Sequence, residues 1–291
     1  MDISVFTDIN GRDENQDTAA VKITQHGLLA VVCDGMGGLT YGRETAELAL
    51  KLAIELCEPG KSLNPSDGED DPIDIVNRRI REFGRNCDSR LGTTICACTF
   101  SPREGLHVRW LGDSRLYVFQ KRDNHPGRLV TLTRDNNKAT EAYLNNYISE
   151  ATWRVSSDKN KLTEFLGARD SIAFQYDFVP IAVENEPPKI LGRGRPFPLT
   201  DKDVVILCSD GAVGNVSEEN IAELAELSSY GTYDMNQLGL EICSDAKKGG
   251  STDNQTIICF KIPKVVLIPD EDNERESKWC RYSRILKMNS I

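Results

Sequence analysis

Histidine is scarce in this chain of 291 residues: there are three, His26, His107 and His125, and no HExxH pair. A histidine cage for zinc is therefore excluded. Nine cysteines, an odd number, include no CxxC spacing and no CxxxxxR loop of the kind a nucleophilic-cysteine phosphatase needs. Reduced thiols are expected, because Cys33 and Cys208 sit inside apolar runs and Cys96 and Cys98 fall two apart on one face of a strand. GxxxxGK[ST] and GxSxG are missing too, and the SxxK of Ser156–Lys159 lacks its companion motifs. The longest wholly apolar run, Leu28 to Cys33, is far shorter than the roughly 18 residues of a membrane span. Residues Met1 to Ser4 carry neither the basic charge nor the apolar run of a secretory signal, so the expected location is the cytoplasm. Positive charge is in the minority: 35 Lys+Arg against 45 Asp+Glu give a net charge of −10. Such an acidic chain is a poor binder of phosphate backbones, and nucleic acid is not an expected partner.

What is present is an ordinary globular composition, 39% hydrophobic and 27% charged, sized for one large or two small domains. A strand is predicted from Phe6, and the runs Thr18–Ile23 and Leu28–Cys33 form a hairpin across Gln25-His26-Gly27. From Arg43 the period changes: Ala46, Ala49, Leu50, Ala53, Ile54 and Cys57 line one side of a helix. A breaker-rich acidic loop, 58–72, leads to a second helix with Ile73, Val76, Ile80, Phe83 and Cys87 on one seam. The runs Thr93–Phe100, Leu106–Leu111, Leu116–Lys121 and Leu129–Leu132 predict an antiparallel meander. Residues 138–161 are polar with weak helical spacing and predict a mobile cover. Phe174–Val183 and Val204–Cys208 read as strands, Ser217 as the N-cap of a helix through Leu227, Asp234–Lys247 as another helix, and Thr256–Ile262 as the last strand. No internal repeat or linker interrupts residues 1–263. Residues 264–291 form a tail, acidic at Asp270–Glu276 and then basic at Lys278, Arg281, Arg284 and Lys287, expected to fold on the body or hang free rather than dock on a partner or acidic lipid.

The aspartates fall at the ends of these strands. Asp34 follows Leu28–Cys33, Asp113 follows the strand ending at Leu111, and Asp210 follows Val204–Cys208; Asp17 and Asp253 stand just before two others. Five carboxylates that converge either share protons or are neutralised by cations. An all-oxygen set suits Mg²⁺ or Mn²⁺. Gly35 frees the backbone beside Asp34 for close approach, and Gly37-Gly38 let the chain turn toward the helix.

The blocks Arg12-Asp13-Glu14-Asn15-Gln16-Asp17, Val31-Val32-Cys33-Asp34-Gly35-Met36-Gly37-Gly38, Leu91-Gly92-Thr93-Thr94, Leu111-Gly112-Asp113-Ser114-Arg115, Leu207-Cys208-Ser209-Asp210-Gly211 and Thr252-Asp253-Asn254 stand in one order. Together they resemble the signature set of the metal-dependent type 2C protein serine/threonine phosphatases, over about residues 4–262. The resemblance implies an α+β fold, a four-layer α-β-β-α sandwich of two antiparallel sheets flanked by helix pairs, in one catalytic domain, 1–263, with a flap at about 134–160. It implies two core ions, Mn²⁺ or Mg²⁺: Asp34 bridges them, the Gly35 carbonyl ligates one, and Asp210 and Asp253 ligate the other. Asp113 with Asp210 resembles the holder of a weaker third ion, Asp17 the residue that holds metal-bound water, and Arg12 the phosphate-binding arginine. The implied reaction is attack of activated water on phosphoserine or phosphothreonine of a protein substrate, opposing a Ser/Thr kinase. Met36 stands where animal and plant relatives carry a histidine proposed as general acid, and Asn136 where a histidine is frequent, so the general acid is unassigned. Arg115 is expected to pair with a neighbouring acid, and Trp110 and Trp153 to pack. A catalytically silent phosphatase-like domain and a hydrolase of small phosphate monoesters are the competing readings.

Overall fold

The computed structural model describes residues 1–36, 41–63, 70–121, 126–168, 175–176, 180–181, 189–190, 196–263 and 284–287. The chain enters through β1 (Asp2–Asp8), folds the hairpin β2 (Asp17–Thr24) and β3 (Gly27–Asp34), and continues into α1 (Gly42–Leu56) and α2 (Pro72–Asn86). Two further hairpins follow, β4 (Ile95–Ser101) with β5 (Gly105–Leu111) and β6 (Arg115–Gln120) with β7 (Arg128–Thr131). Then come α3 (Lys138–Leu144), α4 (Glu150–Val155), a 3-10 turn (Ser157–Asn160) and the short strands β8 (Gln175–Tyr176), β9 (Pro180–Ile181) and β10 (Lys189–Ile190). The last part runs β11 (Val204–Cys208), α5 (Asp210–Val213), α6 (Glu218–Ser229), α7 (Met235–Lys248), β12 (Gln255–Lys261) and β13 (Arg284–Lys287).

Two antiparallel sheets result, ordered β13-β2-β3-β4-β5-β8 and β1-β12-β11-β6-β7, with β9 and β10 paired separately. Because successive side chains of a strand point to opposite faces, each strand feeds two apolar layers. Leu28, Ala30 and Val32 of β3 face the inter-sheet core with Val108, Trp110, Val118, Leu207 and Phe260. Leu29, Val31 and Cys33 face the other way, onto Ala46, Ala49 and Ala53 of α1 and Ile73, Val76 and Ile80 of α2. The alanine stripe lets α1 lie close to the sheet. In the second sheet Val204, Ile206, Cys208, Ile257 and Cys259 point outward onto Ile221, Leu238 and Ile242 of α6 and α7. This is the expected four-layer sandwich, and each fully buried Val, Leu or Ile contributes about 1.5–3 kcal/mol relative to exposure.

The expected single meander is corrected: β4 and β5 lie in one sheet, β6 and β7 in the other. The chain crosses the sandwich at Gly112-Asp113-Ser114, where Gly112 has φ 106 and a Cβ would press on Thr94. The crossing sets Leu116 and Val118 against Val108 and Trp110 in one core. A flat four-stranded meander would leave those faces without a partner layer. Ser217 and Asp234 do cap α6 and α7, the latter in a reciprocal capping box with Gln237. Asp210-Gly211 opens the short helix α5.

The polar stretch expected as a cover is two short helices on a closed stem. Lys138 N–H donates to the Lys161 carbonyl at 3.0 Å and Thr163 N–H to Asn136 at 2.8 Å. Trp153 stacks on Tyr143, centroids 5.5 Å apart, and carries the Lys159 ammonium over its ring at 4.4 Å. Of the tail, Arg284–Lys287 pairs antiparallel with β2, from Arg284 opposite Ile23 to Lys287 opposite Ala20. Its acidic run and Lys278 and Arg281 lie outside the described residues, as do most of the strand expected at Phe174–Val183 and Gly37-Gly38.

Candidate active site

Strand direction brings the aspartates together. Asp17 opens β2 and Asp34 closes β3, and the two are cross-strand partners. Leu111 at the end of β5 pairs with Ile95 at the start of β4, so the Gly112–Ser114 corner with Asp113 leaves the first sheet at the same end. In the second sheet Arg115, the first residue of β6, pairs with Cys208, the last of β11, and Cys208 with Ile257 near the start of β12. Asp210 and Asp253 flank those last two ends. Asp17 is 5% exposed and Asp113 9%; Asp34, Asp210 and Asp253 are half-buried.

Hydrogen bonds hold this end rigid. The Asp34 N–H donates to Thr94 Oγ1 at 3.0 Å, and its carbonyl accepts from Thr94 N–H and Thr93 Oγ1, both at 2.8 Å. Thr94 Oγ1 and Ser114 Oγ, 2.7 Å apart, tie that support to the corner carrying Asp113. Asn136 clamps the corner from outside, its Oδ1 accepting from Gly112 N–H at 3.0 Å. Ser209 precedes α5 at the N-cap, yet its hydroxyl donates to Asp17 Oδ2 at 2.7 Å instead of capping the helix. Gly35 is required on steric grounds: a Cβ there would collide with the Gly42 carbonyl, and its N–H bonds the Gln16 carbonyl at 3.0 Å.

The loop with Arg12 is latched to the loop with Asp253. Asn10 Nδ2 donates to the carbonyls of Ser251 and Asp253, at 2.8 and 3.0 Å. Asn254 Nδ2 donates to Ile9 and Glu14, both at 3.0 Å, and its Oδ1 accepts from Gln16 N–H at 2.9 Å. Arg12 itself lies at the rim, 51% exposed, with Nη2 2.7 Å from Asp253 Oδ2. Arg115 pairs with Asp135 through two bonds, at 2.8 and 2.7 Å, as its expected structural role requires. Trp110 is buried, its indole N–H donating to the Arg134 carbonyl at 2.7 Å.

Burial first, and mutual repulsion second, dominate the electrostatics of these acids. The Asp17 carboxyl is pushed up to about 7 by burial, against the hydrogen bond from Ser209, with Asp210 and Asp253 adding charge. Asp34 is raised well above the carboxylate range by burial and then by Asp17, Asp210, Asp113 and Asp253. Asp113 and Asp210 are raised by burial too, each next by another acid, Asp210 for the first and Asp253 for the second. Asp34 thus feels the charge of the other four predicted acids. Among the described residues, no three acidic, histidine or cysteine side chains are grouped closely enough to hold one ion, so an ion here would take its remaining ligands from carbonyls and waters. An all-oxygen ring with an excess of negative charge fits a hard divalent cation.

Asn10, Thr94, Asp135, Ser209 and Asn254 were missed as site residues. Most sit inside or beside the quoted motif blocks, but their partners are far away in sequence; only the acids carry a signal a single sequence displays.

A family model described as protein phosphatase 2C matches residues 9–241. The serine/threonine phosphatase stp of Listeria monocytogenes is 25% identical over 254 residues, covering 85% of this chain and 90% of the relative. Among solved structures, a bacterial serine phosphatase superposes with a TM-score of 0.71 at 19% identity, covering 92% of this chain and all of the other. The serine/threonine phosphatase Stp1 from Staphylococcus aureus does so at 0.71 and 21% identity, over 90% of this chain and 96% of its own.

Proposed function

The chain belongs to the protein phosphatase 2C family and is a phosphoprotein phosphatase, and from that premise we propose that it hydrolyses phosphoserine and phosphothreonine by direct attack of water. The observation that carries this reading is the meeting of Asp17, Asp34, Asp113, Asp210 and Asp253 at one end of the two sheets, where the first four have their proton affinity raised by burial and by neighbouring acids. Asp34, the Gly35 carbonyl, Asp210 and Asp253 would hold two core ions, Mn²⁺ or Mg²⁺, and Asp113 with Asp210 would hold a weaker third. When bound, such ions supply a nucleophilic water at neutral pH and neutralise charge on the phosphoryl oxygens.

The chain's own residues do the rest. Asp17, fixed by Ser209, orients a water by accepting its hydrogen bond. Arg12, at the solvent edge beside Asp253, offers a planar fork to two phosphoryl oxygens. Cysteine chemistry is disfavoured: burial pushes the Cys208 thiol up to about 12, and Cys33 rises for the same reason. Neither supplies a thiolate near neutral pH. The loss of ligand acids that would mark a silent relative is not found. Among the described residues no helix is long and apolar enough to cross a membrane. A cytoplasmic setting opposite a Ser/Thr kinase and one catalytic domain over 1–263 complete the proposal.

The test is phosphate release with added Mn²⁺ from a phosphothreonine peptide, a phosphotyrosine peptide and small monoesters. We expect the phosphothreonine peptide to be cleaved fastest and EDTA to stop it. Absence of hydrolysis of every substrate sinks the reading, and preference for a small monoester transfers it to the competing hydrolase.

A further inference from the structure

Near the acidic end lies a cleft lined by three arginines and one acid, Asp88. It has a volume of about 470 Å³ and is walled by the last turns of α2, Asp88–Leu91 after it, and Phe165, Gly167 and Ala168, with Met36 among its lining residues. Met36 is two residues past Asp34, so the cleft begins within about 7 Å of chain from the proposed metal ligand. Arg81, Arg85 and Arg90 all line it.

Local structure explains how three arginines reach one cavity. Arg81 and Arg85 are four apart in α2 and share a helix face. Gly84 between them is buried, and a Cβ there would come within 2.8 Å of the Ser89 carbonyl. Asp88 takes the left-handed conformation, φ 49, and Ser89 N–H returns to the Gly84 carbonyl at 2.9 Å. That reversal carries Arg90 back along the same wall. The chain has a net charge of −10, yet residues 78–90 hold Arg78, Arg79, Arg81, Arg85 and Arg90 against only Glu82 and Asp88. Arg78 and Arg79 meet Asp70 and Glu82 at 3.7 and 3.3 Å. Arg81, Arg85 and Arg90 line the cavity together with Asp88, and Arg85 and Arg90 are exposed. The helix macrodipole favours one cation in a last turn. It does not account for three around a cleft.

We propose that this cleft is a second anion subsite, occupied by a phosphoryl group or acidic side chains two to four residues from the phosphoserine or phosphothreonine being hydrolysed. An extended peptide covers about 7–14 Å over that interval. Guanidinium forks pair with phosphate and carboxylate alike, so the two sources are separated by experiment. The inference rests on the phosphatase reading and adds to it a preference for multiply phosphorylated or acid-flanked sites.

The experiment compares three labelled phosphothreonine peptides: neutral flanks, acidic flanks, and a second phosphoserine three residues away. Binding is measured in EDTA and turnover in Mn²⁺, for the wild type, R81A/R85A/R90A and R81K/R85K/R90K. We expect the wild type to bind one or both anionic peptides about tenfold more tightly than the neutral one, about 1.4 kcal/mol. The alanine variant brings that ratio near one, and the lysine variant keeps most of it. Which anionic peptide shows the larger ratio identifies the source. Should the alanine variant fold poorly, Arg90→Glu alone, outside the helix, is expected to cut the ratio at least about threefold. An unchanged ratio in the alanine variant, or no preference in the wild type, overturns the subsite even if turnover is normal. Preference in EDTA without turnover in Mn²⁺ overturns the phosphatase reading and supports the subsite.

Discussion

Two regions of the molecule bury carboxylates, and they treat them in opposite ways. Between the first sheet and α2, Asp71 caps the helix and receives both guanidinium nitrogens of Arg109 at 2.6 Å; Arg109 is 1% exposed and also donates to the Leu63 carbonyl at 2.8 Å. Asp71 there has a cation and two backbone N–H groups at hand. At the end of the sandwich, Asp17, Asp34, Asp113 and Asp210 are packed with acids for neighbours, and each has its proton affinity raised. The first arrangement balances its charge within the chain and serves the fold. The second leaves a surplus that a ligand must balance, and that surplus is the mark of a functional site.

The strongest way to break this comparison is to neutralise one acid of the ring. Asp34→Asn is expected to lower the Mn²⁺-dependent rate by at least about 10³-fold, since several kcal/mol of charge stabilisation depend on the ions. In EDTA at pH 8 the same variant is expected to melt above the wild type, because it removes a repulsive charge. Full activity, or an earlier melt, refutes the contrast. Arg109→Leu is the converse: it strands Asp71 and is expected to destabilise the fold by about 3–5 kcal/mol, read by denaturant titration, while the rate per folded molecule stays near that of the wild type. The double variant Arg109→Leu, Asp71→Leu should recover part of the loss, and no recovery means the pair is not the cause.

Smaller effects sharpen the picture. Arg12→Ala is expected to lower kcat/KM by about 10-fold or more, a charge-assisted hydrogen bond being worth about 1.5–3 kcal/mol, with little change in melting because its pair with Asp253 is half-exposed. A large melting shift would make Arg12 structural. The pH dependence of the ion-free chain is the subtlest. Asp17 titrates from 3.8 upward when unfolded and at about 7 when folded, so the native state binds the extra proton. Its contribution to stability is present below about pH 4 and is lost as pH rises toward 7. Melting in EDTA should therefore fall by a few degrees between pH 5 and 7, and added Mn²⁺ should reverse the fall. A melt that climbs over this window contradicts the burial of Asp17.

The sequence shows some of this directly. Period-two runs and the helical seams of Ala46–Cys57 and Ile73–Cys87 mark the layers, because a face must be apolar along its length to be buried. An acid directly after an apolar run marks a strand end, and that is why Asp34, Asp113 and Asp210 stand out. The choice of sheet is hidden: nothing local tells β6 to leave the sheet of β5. Nothing local marks Ser209 as a site residue, since its partner Asp17 is 192 positions away. Nothing local marks Asp88, whose left-handed backbone turns the chain toward Arg90.

By itself, then, the chain's composition and order determined which residues face a core, which helices are capped and which acids end strands, all consequences of local geometry and water. Only the tertiary structure decided that Gly112 crosses between sheets, that Asn10 and Asn254 lock two distant loops, and that three arginines share a wall near Met36. Those contacts join segments far apart in sequence, and their geometry exists only once both sheets have closed on a common core.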